Sequence, residues 1–420
     1  MIKTLSLQPG VTLRCFADSR FKQGCLSLQL IRPMCKQEAA LNSLIPAVLL
    51  RGTVTAPDLR AITARLDDLY GAAVGPIVRR IGDYQTTGLY CSFIADRYAM
   101  PGDRVLEPVI QFLGQLLLEP VTDKGIFRAD YVKTEKTNLI AAIEAQRNDK
   151  RAYAGAQMLK KMCRKDSFGI PRLGTVSQVK KITPAAAWEH YQKILRESRV
   201  DIFYVGQAEP ETVAQALQPL LKQLGGMLEN LPAQTPYTPA PTGSYTETME
   251  VSQGKLCMGF VTPITIRDPQ FAAMQVCNVL FGGGMTSLLF MNIREKLSLC
   301  YDISSGYHSS KGILTVSAGI DCDKFDTVKS QVLAQLETCQ KGEFTLEQMQ
   351  AAKEAVLSGL RGVHDSPGAI ENYYATAALS GLGMTPAEYT AAVEAVTAQQ
   401  VAAAAATVRL HTDYFLKGVQ

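Results

Sequence analysis

One pattern occurs twice in this chain, and it sets the scale of the fold before any single motif is read. The segment KKITPAAAWEHYQKILRESRVDIFYVG lies at 180–206, and EAVTAQQVAAAAATVRLHTDYFLKG lies at 394–418. Each places a threonine (Thr183, Thr397) ahead of a helical run and closes on an aromatic-rich strand and a glycine (Gly206, Gly418). Threonine suits that place because its hydroxyl accepts an N–H from the first helical turn. A second pair precedes the first in the same order. GLYCSFIAD at 88–96 and GILTVSAGID at 312–321 both read as strands ending in Asp, and each follows a helical run with Arg, Leu and Tyr, ARLDDLYGA at 64–72 and IREKLSLCYDI at 293–303. Two ordered matches argue for a duplicated domain. Between the halves, LENLPAQTPYTPAPTGSYTE at 228–247 carries Pro232, Pro236, Pro239 and Pro241 and no helical or strand period. Proline fixes φ and disfavours helix, so this stretch reads as a semi-extended linker. The expected division is a domain over 1–225, a linker over 226–247 and a second domain over 248–420.

Within the first half, VTLRCFAD and CLSLQLIRP look like two strands of a hairpin with Gly24 near the turn. APDLRAITARLDDLYG has helical apolar spacing at Leu59, Ile62, Leu66 and Leu69, with Gly71 as its C-terminal stop. VGPIVRRIGDYQTTGLYCSFIA reads as strands, DRVLEPVIQFLGQLLLEP as a long helix, and about 125–147 as a second long helix. Strands meeting in hairpins beside several helices predict an α+β fold of two layers, a mainly antiparallel sheet against helices, and not a doubly wound parallel sheet.

Composition removes several classes of function. Lys+Arg number 43 and Asp+Glu 39, a net charge of +4 over 420 residues, with no run of five or six like charges. A nucleic-acid groove or a polybasic membrane patch would show such clustering. No stretch of 18 apolar residues is present, and the opening MIKTLSLQPG has no apolar h-region, so neither a membrane span nor a signal peptide is expected. The ten cysteines include no CxxC pair and mostly sit in apolar runs, where they read as small buried hydrophobes of a reducing compartment. The expected location is the cytoplasm.

The search for catalytic groups is mostly negative. The four histidines, 190, 308, 364 and 411, belong to neither HExxH nor HxxEH, and the chain has no GxSxG elbow, no Walker A loop and no GxGxxG. The most informative segment is NVLFGGGMTSLLFMNIREKLSLCYDISSGYHSSKG at 278–312, with His308 beside it. Phe281 ends an apolar helix, Gly282, Gly283 and Gly284 form a turn, and Ser287 to Leu299 reads as another helix. A glycine triple permits φ > 0 and lets a peptide carbonyl or an anion approach the backbone, although it also serves as a plain helix–helix turn. Arg294 and Tyr301 lie two helical turns apart, so both can face one way and offer guanidinium and phenol donors to a substrate. A surface Arg beside a buried Tyr is the plainer alternative.

Three stretches carry a resemblance. LLRGTVTAPDLRAITARLDDLYGA at 49–72, SFGIPRLGTVSQVKKITPAAAWEHYQ at 167–192 and FGGGMTSLLFMNIREKLSLCYDISSGY at 281–307 resemble the M16 (pitrilysin/insulinase-like) metallopeptidases. The RGT tripeptide at 51–53 and the Arg294–Tyr301 spacing are the more specific parts. The resemblance implies two duplicated M16-like α/β-sandwich domains and a second-domain segment, Gly282–Gly284 with Arg294 and Tyr301, that binds peptide substrate. It also implies a zinc motif, HxxEH, just ahead of residues 48–53. Counting back puts that motif on Ser43, Leu44, Ile45, Pro46 and Ala47. Ser43 and Ala47 then stand for the histidine ligands and Pro46 for the general-base glutamate. Downstream, Glu135 persists, but Ala142 takes the third ligand position. Serine, alanine and proline supply no imidazole lone pair and no base, whereas a zinc peptidase needs three protein ligands and an open water position. The expectation is therefore a chain with no zinc, no cofactor and no peptidase activity of its own.

The resemblance further implies a role. Two-domain M16 chains pair around a chamber, and in some pairs one chain carries zinc while the other supplies the Arg/Tyr segment. The chain looks like the second kind, most similar to the zinc-less member of a Firmicutes pair associated with elongation factor P modification. The expected partners are an HxxEH-bearing M16 chain, or a second copy of itself when alone, and a peptide. The alternative is a structural or binding scaffold with no part in turnover; no constellation supports an independent enzyme of another class.

Overall fold

A computed structural model describes residues 2–418, apart from 226, 227, 229, 230, 233, 236, 238 and 239. In chain order the strands are β1 (Ile2–Gln8), β2 (Val11–Ala17), β3 (Gln23–Pro33), β4 (Ala73–Ile81), β5 (Tyr84–Ile94), the short β6 (Thr122–Asp123) and β7 (Ile126–Phe127), β8 (Arg199–Gly206), β9 (Gly243–Met249), β10 (Gly254–Val261), β11 (Asp302–His308), β12 (Ile313–Ile320) and β13 (Arg409–Gly418). The α-helices are α1 (Ala39–Leu49), α2 (Leu59–Asp68), α3 (Leu106–Leu118), α4 (Ala129–Ala145), α5 (Lys150–Met162), α6 (Val176–Lys181), α7 (Pro184–Glu197), α8 (Pro210–Leu221), α9 (Phe271–Gly282), α10 (Phe325–Lys341), α11 (Leu346–Gly362), α12 (Pro367–Ser380), α13 (Pro386–Glu394) and α14 (Ala398–Ala405).

The chain folds into two compact units that are not contiguous in sequence. The first comprises Met1–Glu144, Ile170–Ala233 and His364–Thr376; the second comprises Ala145–Gly169, Gln234–Val363 and Ala377–Gln420. Each half of the sequence thus places a helical segment in the other unit. The linker expected over 226–247 falls partly outside the described residues, Pro236 and Pro239 included, and from Gly243 the chain is already strand β9.

The first unit is built on a six-stranded sheet of order β1-β2-β8-β3-β5-β4. The β2/β8 pair is parallel and its other pairs are antiparallel. The β2–β3 hairpin expected from sequence does not form, because β8 inserts between the two strands, parallel to β2 and antiparallel to β3. Leu26, Leu28 and Leu30 of β3, with Val200 and Ile202 of β8, face the buried core shared with α1, α3, α7 and α8. Alternation along a strand sends every second side chain to the opposite face, and there β3 carries Ser27 and Gln29. Glu371, on the segment 364–376, covers them. Its carboxylate is 1% exposed and accepts from Ser27 Oγ (2.8 Å), Gln29 Nε2 (2.7 Å) and both terminal nitrogens of Arg79 (3.0 and 2.9 Å). A buried charge needs such partners to be tolerated.

The second unit holds a five-stranded sheet of order β11-β12-β10-β13-β9, in which β13/β9 is parallel and the other pairs are antiparallel. Helix α5 lies on it at β10, where a Cβ on Gly259 would stand 2.6 Å from Met162 Sδ and 2.7 Å from Met158 Sδ. Only glycine lets the helix approach so closely.

The duplication is visible strand by strand. β2, β8, β3, β5 and β4 run in the same order, with the same directions, as β9, β13, β10, β12 and β11. Helices α11 and α12 begin at 346 and 367, each 217 residues after α4 and α5 at 129 and 150. Thr183 and Thr397 both cap as expected, accepting from Ala186 N (3.1 Å) and Gln400 N (3.3 Å). The fold is α+β, as expected, although of the first-half hairpins the β4–β5 pair forms and the β2–β3 pair does not.

Candidate functional site

Two places follow from the sequence, one in each unit. The first is α1 in the first unit. Ser43, Pro46 and Ala47 all lie on this helix, Ser43 and Pro46 buried and Ala47 half-buried. Pro46 has no N–H, so the Asn42 carbonyl one turn earlier loses its helical partner. Thr87 Oγ1 on β5 supplies the missing donor at 2.7 Å. Ser43 Oγ hydrogen-bonds the carbonyls of Ala39 and Arg172, each at 2.9 Å. Gln85 Nε2 donates to that same Arg172 carbonyl at 2.8 Å.

The network continues to a histidine. Asn42 Nδ2 donates to Gln85 Oε1 (2.9 Å), which leaves Asn42 Oδ1 as acceptor for His190 Nε2 on α7 (2.7 Å). His190 therefore carries its proton on Nε2. Burial depresses its basicity, to a pKa of about 4, although Glu38 nearby pulls the other way. The ring is a neutral hydrogen-bond donor at physiological pH.

On α4, Glu135 is buried and Ala142 exposed two turns further on. Glu135 Oε1 pairs with Arg51 Nε at 3.4 Å, and Asn138 Nδ2 donates to its other oxygen at 3.1 Å. The Arg51 guanidinium also lies over the Tyr131 ring, 5.5 Å from its centroid. A zinc site needs deprotonated N, S or O donors converging on one point. Here the α1 donor is a hydroxyl committed to backbone carbonyls, and the one surviving carboxylate is balanced by a guanidinium. These residues do not fit zinc. Among the described residues no group of three or more His, Cys, Asp or Glu gathers that could hold a metal ion.

The second place lies in the second unit. Gly282 ends α9, Gly283 caps it and Gly284 is exposed. The three glycines differ in kind. A Cβ on Gly282 would meet Leu289 Cδ1 at 2.7 Å and the Ser305 backbone nitrogen at 2.8 Å, and one on Gly283 would meet Val279 Cα at 2.7 Å, whereas one on Gly284 would meet nothing. The first two serve packing; Gly284 leaves backbone open to solvent.

The regular helix expected over Ser287–Leu299 is replaced by a π-helical turn, Leu289–Lys296. It closes through Leu297 N to Asn292 O at 3.1 Å, five residues back. Ser298 then takes a left-handed φ of 51°, and Tyr301 stands outside the helix, just ahead of β11. The two residues do not share a helix face. They meet because the wide turn swings Arg294 back so that its Nε donates to the Tyr301 carbonyl at 2.9 Å. Turns of this kind recur at functional sites.

Around this pair is a cavity of about 370 Å³, with Ser298, Cys300, Asp321 and Lys324 also in its wall. Arg294 Nη1 bonds Glu295 (2.7 Å) and its guanidinium lies 4.6 Å over the Phe290 ring, so the side chain is held in place. Tyr301 is 53% exposed, and its hydroxyl donates to Asp321 Oδ1 at 2.9 Å. That bond raises the Tyr301 pKa; Lys324 first, and Tyr301 second, lower that of Asp321. The phenol oxygen is thus free to accept, and the Arg294 Nη2 edge has no protein partner among the described residues. The arrangement offers a donor edge, an acceptor and an exposed ring to a polar, extended ligand. Sequence reasoning finds the members of this site but misses the π turn; the Arg51–Glu135 pair and the His190–Asn42–Gln85 chain it misses altogether. Pro46 within a helical pattern was the one legible signal that a carbonyl there would need a new donor.

Comparison with known proteins gives a consistent result. Residues 181–356 match the family model described as Peptidase M16 inactive domain. The chain is 29% identical to the probable inactive metalloprotease YmfF of Bacillus subtilis (strain 168) over 414 residues, 98% of this chain and 96% of that one. The crystal structure of a conserved protein from Enterococcus faecalis V583 superposes with a TM-score of 0.92 at 27% identity, covering 100% of this chain and 99% of the other. A peptidase M16 inactive domain from Pseudomonas fluorescens shares the fold, with a TM-score of 0.79 at 18% identity over 100% and 98% of the two chains.

Proposed function

From a chain that is an M16 peptidase homologue without the zinc motif, we propose a non-catalytic subunit that holds peptide for an HxxEH-bearing M16 partner. The observation that carries this reading is the contrast between its two places. The Ser43 hydroxyl on α1 is committed to backbone carbonyls and these residues fit no metal, while the Arg294–Tyr301 seat is preorganised, partly exposed and lined by both donors and an acceptor. Binding energy used to orient a substrate can supply much of a rate enhancement without any chemistry in the binding chain. The peptide lies against the Tyr301 ring, with a carbonyl or carboxylate on the Arg294 Nη2 edge. The link to elongation factor P modification, implied by resemblance, belongs to this same reading. No helix among the described residues is long and apolar enough to cross a membrane.

The test is reconstitution. The purified chain is mixed with an HxxEH-bearing M16 chain of similar length, and peptide turnover is compared for the parent, Arg294→Ala and Tyr301→Phe. The reading expects turnover that needs both chains and falls at least tenfold with Arg294→Ala. Unchanged turnover by the variant pair would overturn the assigned roles. The contacts Arg294 already makes with Glu295 and the Tyr301 carbonyl favour a second reading, a scaffold that binds its partner and no peptide. In that case the variants lose thermal stability and leave turnover unaltered.

A further inference from the structure

Helix α5 in the second unit contains a glycine that its local structure does not require. Gly155 sits in the interior of the 13-residue helix Lys150–Met162, where glycine costs about 1 kcal/mol relative to alanine. Its φ is not left-handed, and a Cβ built on it meets nothing within 4 Å. No close packing explains it, unlike Gly259 opposite the same helix. What it faces is space: a cavity of about 310 Å³ between α5 and the sheet, walled by Gly155, Met158, Leu159, Cys257 and Val316, with Arg151 at its rim.

The charges of this wall are already engaged. Arg151 pairs with Asp302 at 3.2 Å and bonds Ser304 Oγ; Asp149 caps α5 by accepting from Ala152 N at 2.9 Å. Met158, Leu159 and Val316 form an apolar patch of the wall beside the polar His308, Thr315 and Ser317, and Met158 is a side chain that adapts its shape to what it touches. The volume lies at the lower limit of ligand pockets, small enough for a single side chain.

We propose that this cavity is a specificity pocket for one bulky apolar side chain, leucine- or phenylalanine-sized, of a bound peptide, and that Gly155 is the residue that keeps it open. The proposal deepens the peptide-holding reading above and rests on it for its biological meaning, yet it is measured on this chain alone. The chain, labelled at its methionine and leucine methyl groups, is titrated with N-acetyl-leucinamide, N-acetyl-phenylalaninamide and N-acetyl-glycinamide, and methyl shifts are followed by NMR. Saturable shifts centred on Met158 and Leu159 are expected for the first two, with glycinamide weaker by about 10- to 100-fold. Gly155→Leu fills the space from within; it should abolish the shifts while keeping the methyl spectrum dispersed and the melting temperature at or above that of the parent. Gly155→Ala, which adds one methyl, should weaken binding only a few-fold. No saturable shift at these methyls, equal binding of glycinamide, or undiminished binding by a folded Gly155→Leu chain would each overturn the proposal. Arg294→Ala should leave these titrations unchanged, so a failed reconstitution and a failed pocket are separate results.

Discussion

The buried His190 makes stability of the first unit depend on pH in a way that can be worked out from the structure. In the unfolded chain its pKa is near 6.5; in the fold, burial holds it at about 4. Between those values the unfolded state binds a proton that the folded state refuses, so unfolding becomes easier as pH falls. The stabilisation is fully present above about pH 6.5 and is lost as pH falls toward 4, with a slope of up to about 1.4 kcal/mol per pH unit and a total of about 3 kcal/mol. The physical cause is specific. Burial away from water is the main cause, with Arg32 and Lys193 adding to it against Glu38. Nε2 already donates to Asn42 Oδ1, whose amide is committed to Gln85, so a second proton would put a charge on a buried ring. The chain supplies its own reporter, because its single tryptophan, Trp188, lies on the same helix and packs edge-on against Phe127 with ring centroids 5.1 Å apart. Urea unfolding followed by tryptophan fluorescence, repeated across this pH range for the parent and His190→Gln, isolates the contribution. Glutamine can still donate to Asn42 but does not titrate. The parent should lose about 3 kcal/mol more than the variant between pH 6.5 and 4. Parallel curves for the two chains would refute the assignment of a neutral, buried imidazole.

Other expectations follow from the same contacts. Thr87→Val removes the hydroxyl that replaces the helical donor lost at Pro46, leaving the buried Asn42 carbonyl unsatisfied, and should cost about 1–3 kcal/mol by the same unfolding assay. Arg79→Ala strands the Glu371 carboxylate, 1% exposed, and should cost about 3–5 kcal/mol; Arg79→Ala combined with Glu371→Leu should recover most of that loss. Gly282→Ala forces a methyl against Leu289 and the Ser305 backbone and should cost about 1–3 kcal/mol in calorimetry, whereas Gly284→Ala, with open space around it, should be nearly neutral. Zinc titrated into the chain should show no stoichiometric uptake by calorimetry, because the α1 donors and Glu135 are already engaged.

Much of this fold is written locally. Thr183 and Thr397 announce their helices because capping involves residues three apart, and the β4–β5 hairpin is announced by Gly82, which takes a φ of 57° in a two-residue turn. Long-range pairing is not written that way. Nothing near Val11–Ala17 or Gln23–Pro33 reveals that Arg199–Gly206, far along the chain, will lie between them. The candidate site divides on the same line. Residue types at 43, 46 and 47 exclude imidazole ligands whatever the fold, so that part is chemistry read directly. The Arg294–Tyr301 contact depends on a π turn and on a left-handed Ser298, conformations that serine and a mixed apolar run do not signal. Gly155 was invisible as a feature because its meaning depends on a sheet contributed by residues a hundred positions later.

The placement of 145–169 and 364–376 bears on how such a chain can be cut. Severing it in the proline-rich stretch yields two fragments, each missing a piece that the other retains. The amino-terminal fragment would expose Ser27, Gln29 and Arg79 with no carboxylate above them; the carboxy-terminal fragment would leave β10 without the methionines that press on Gly259. Neither fragment is expected to survive purification alone, while the two expressed together should recombine.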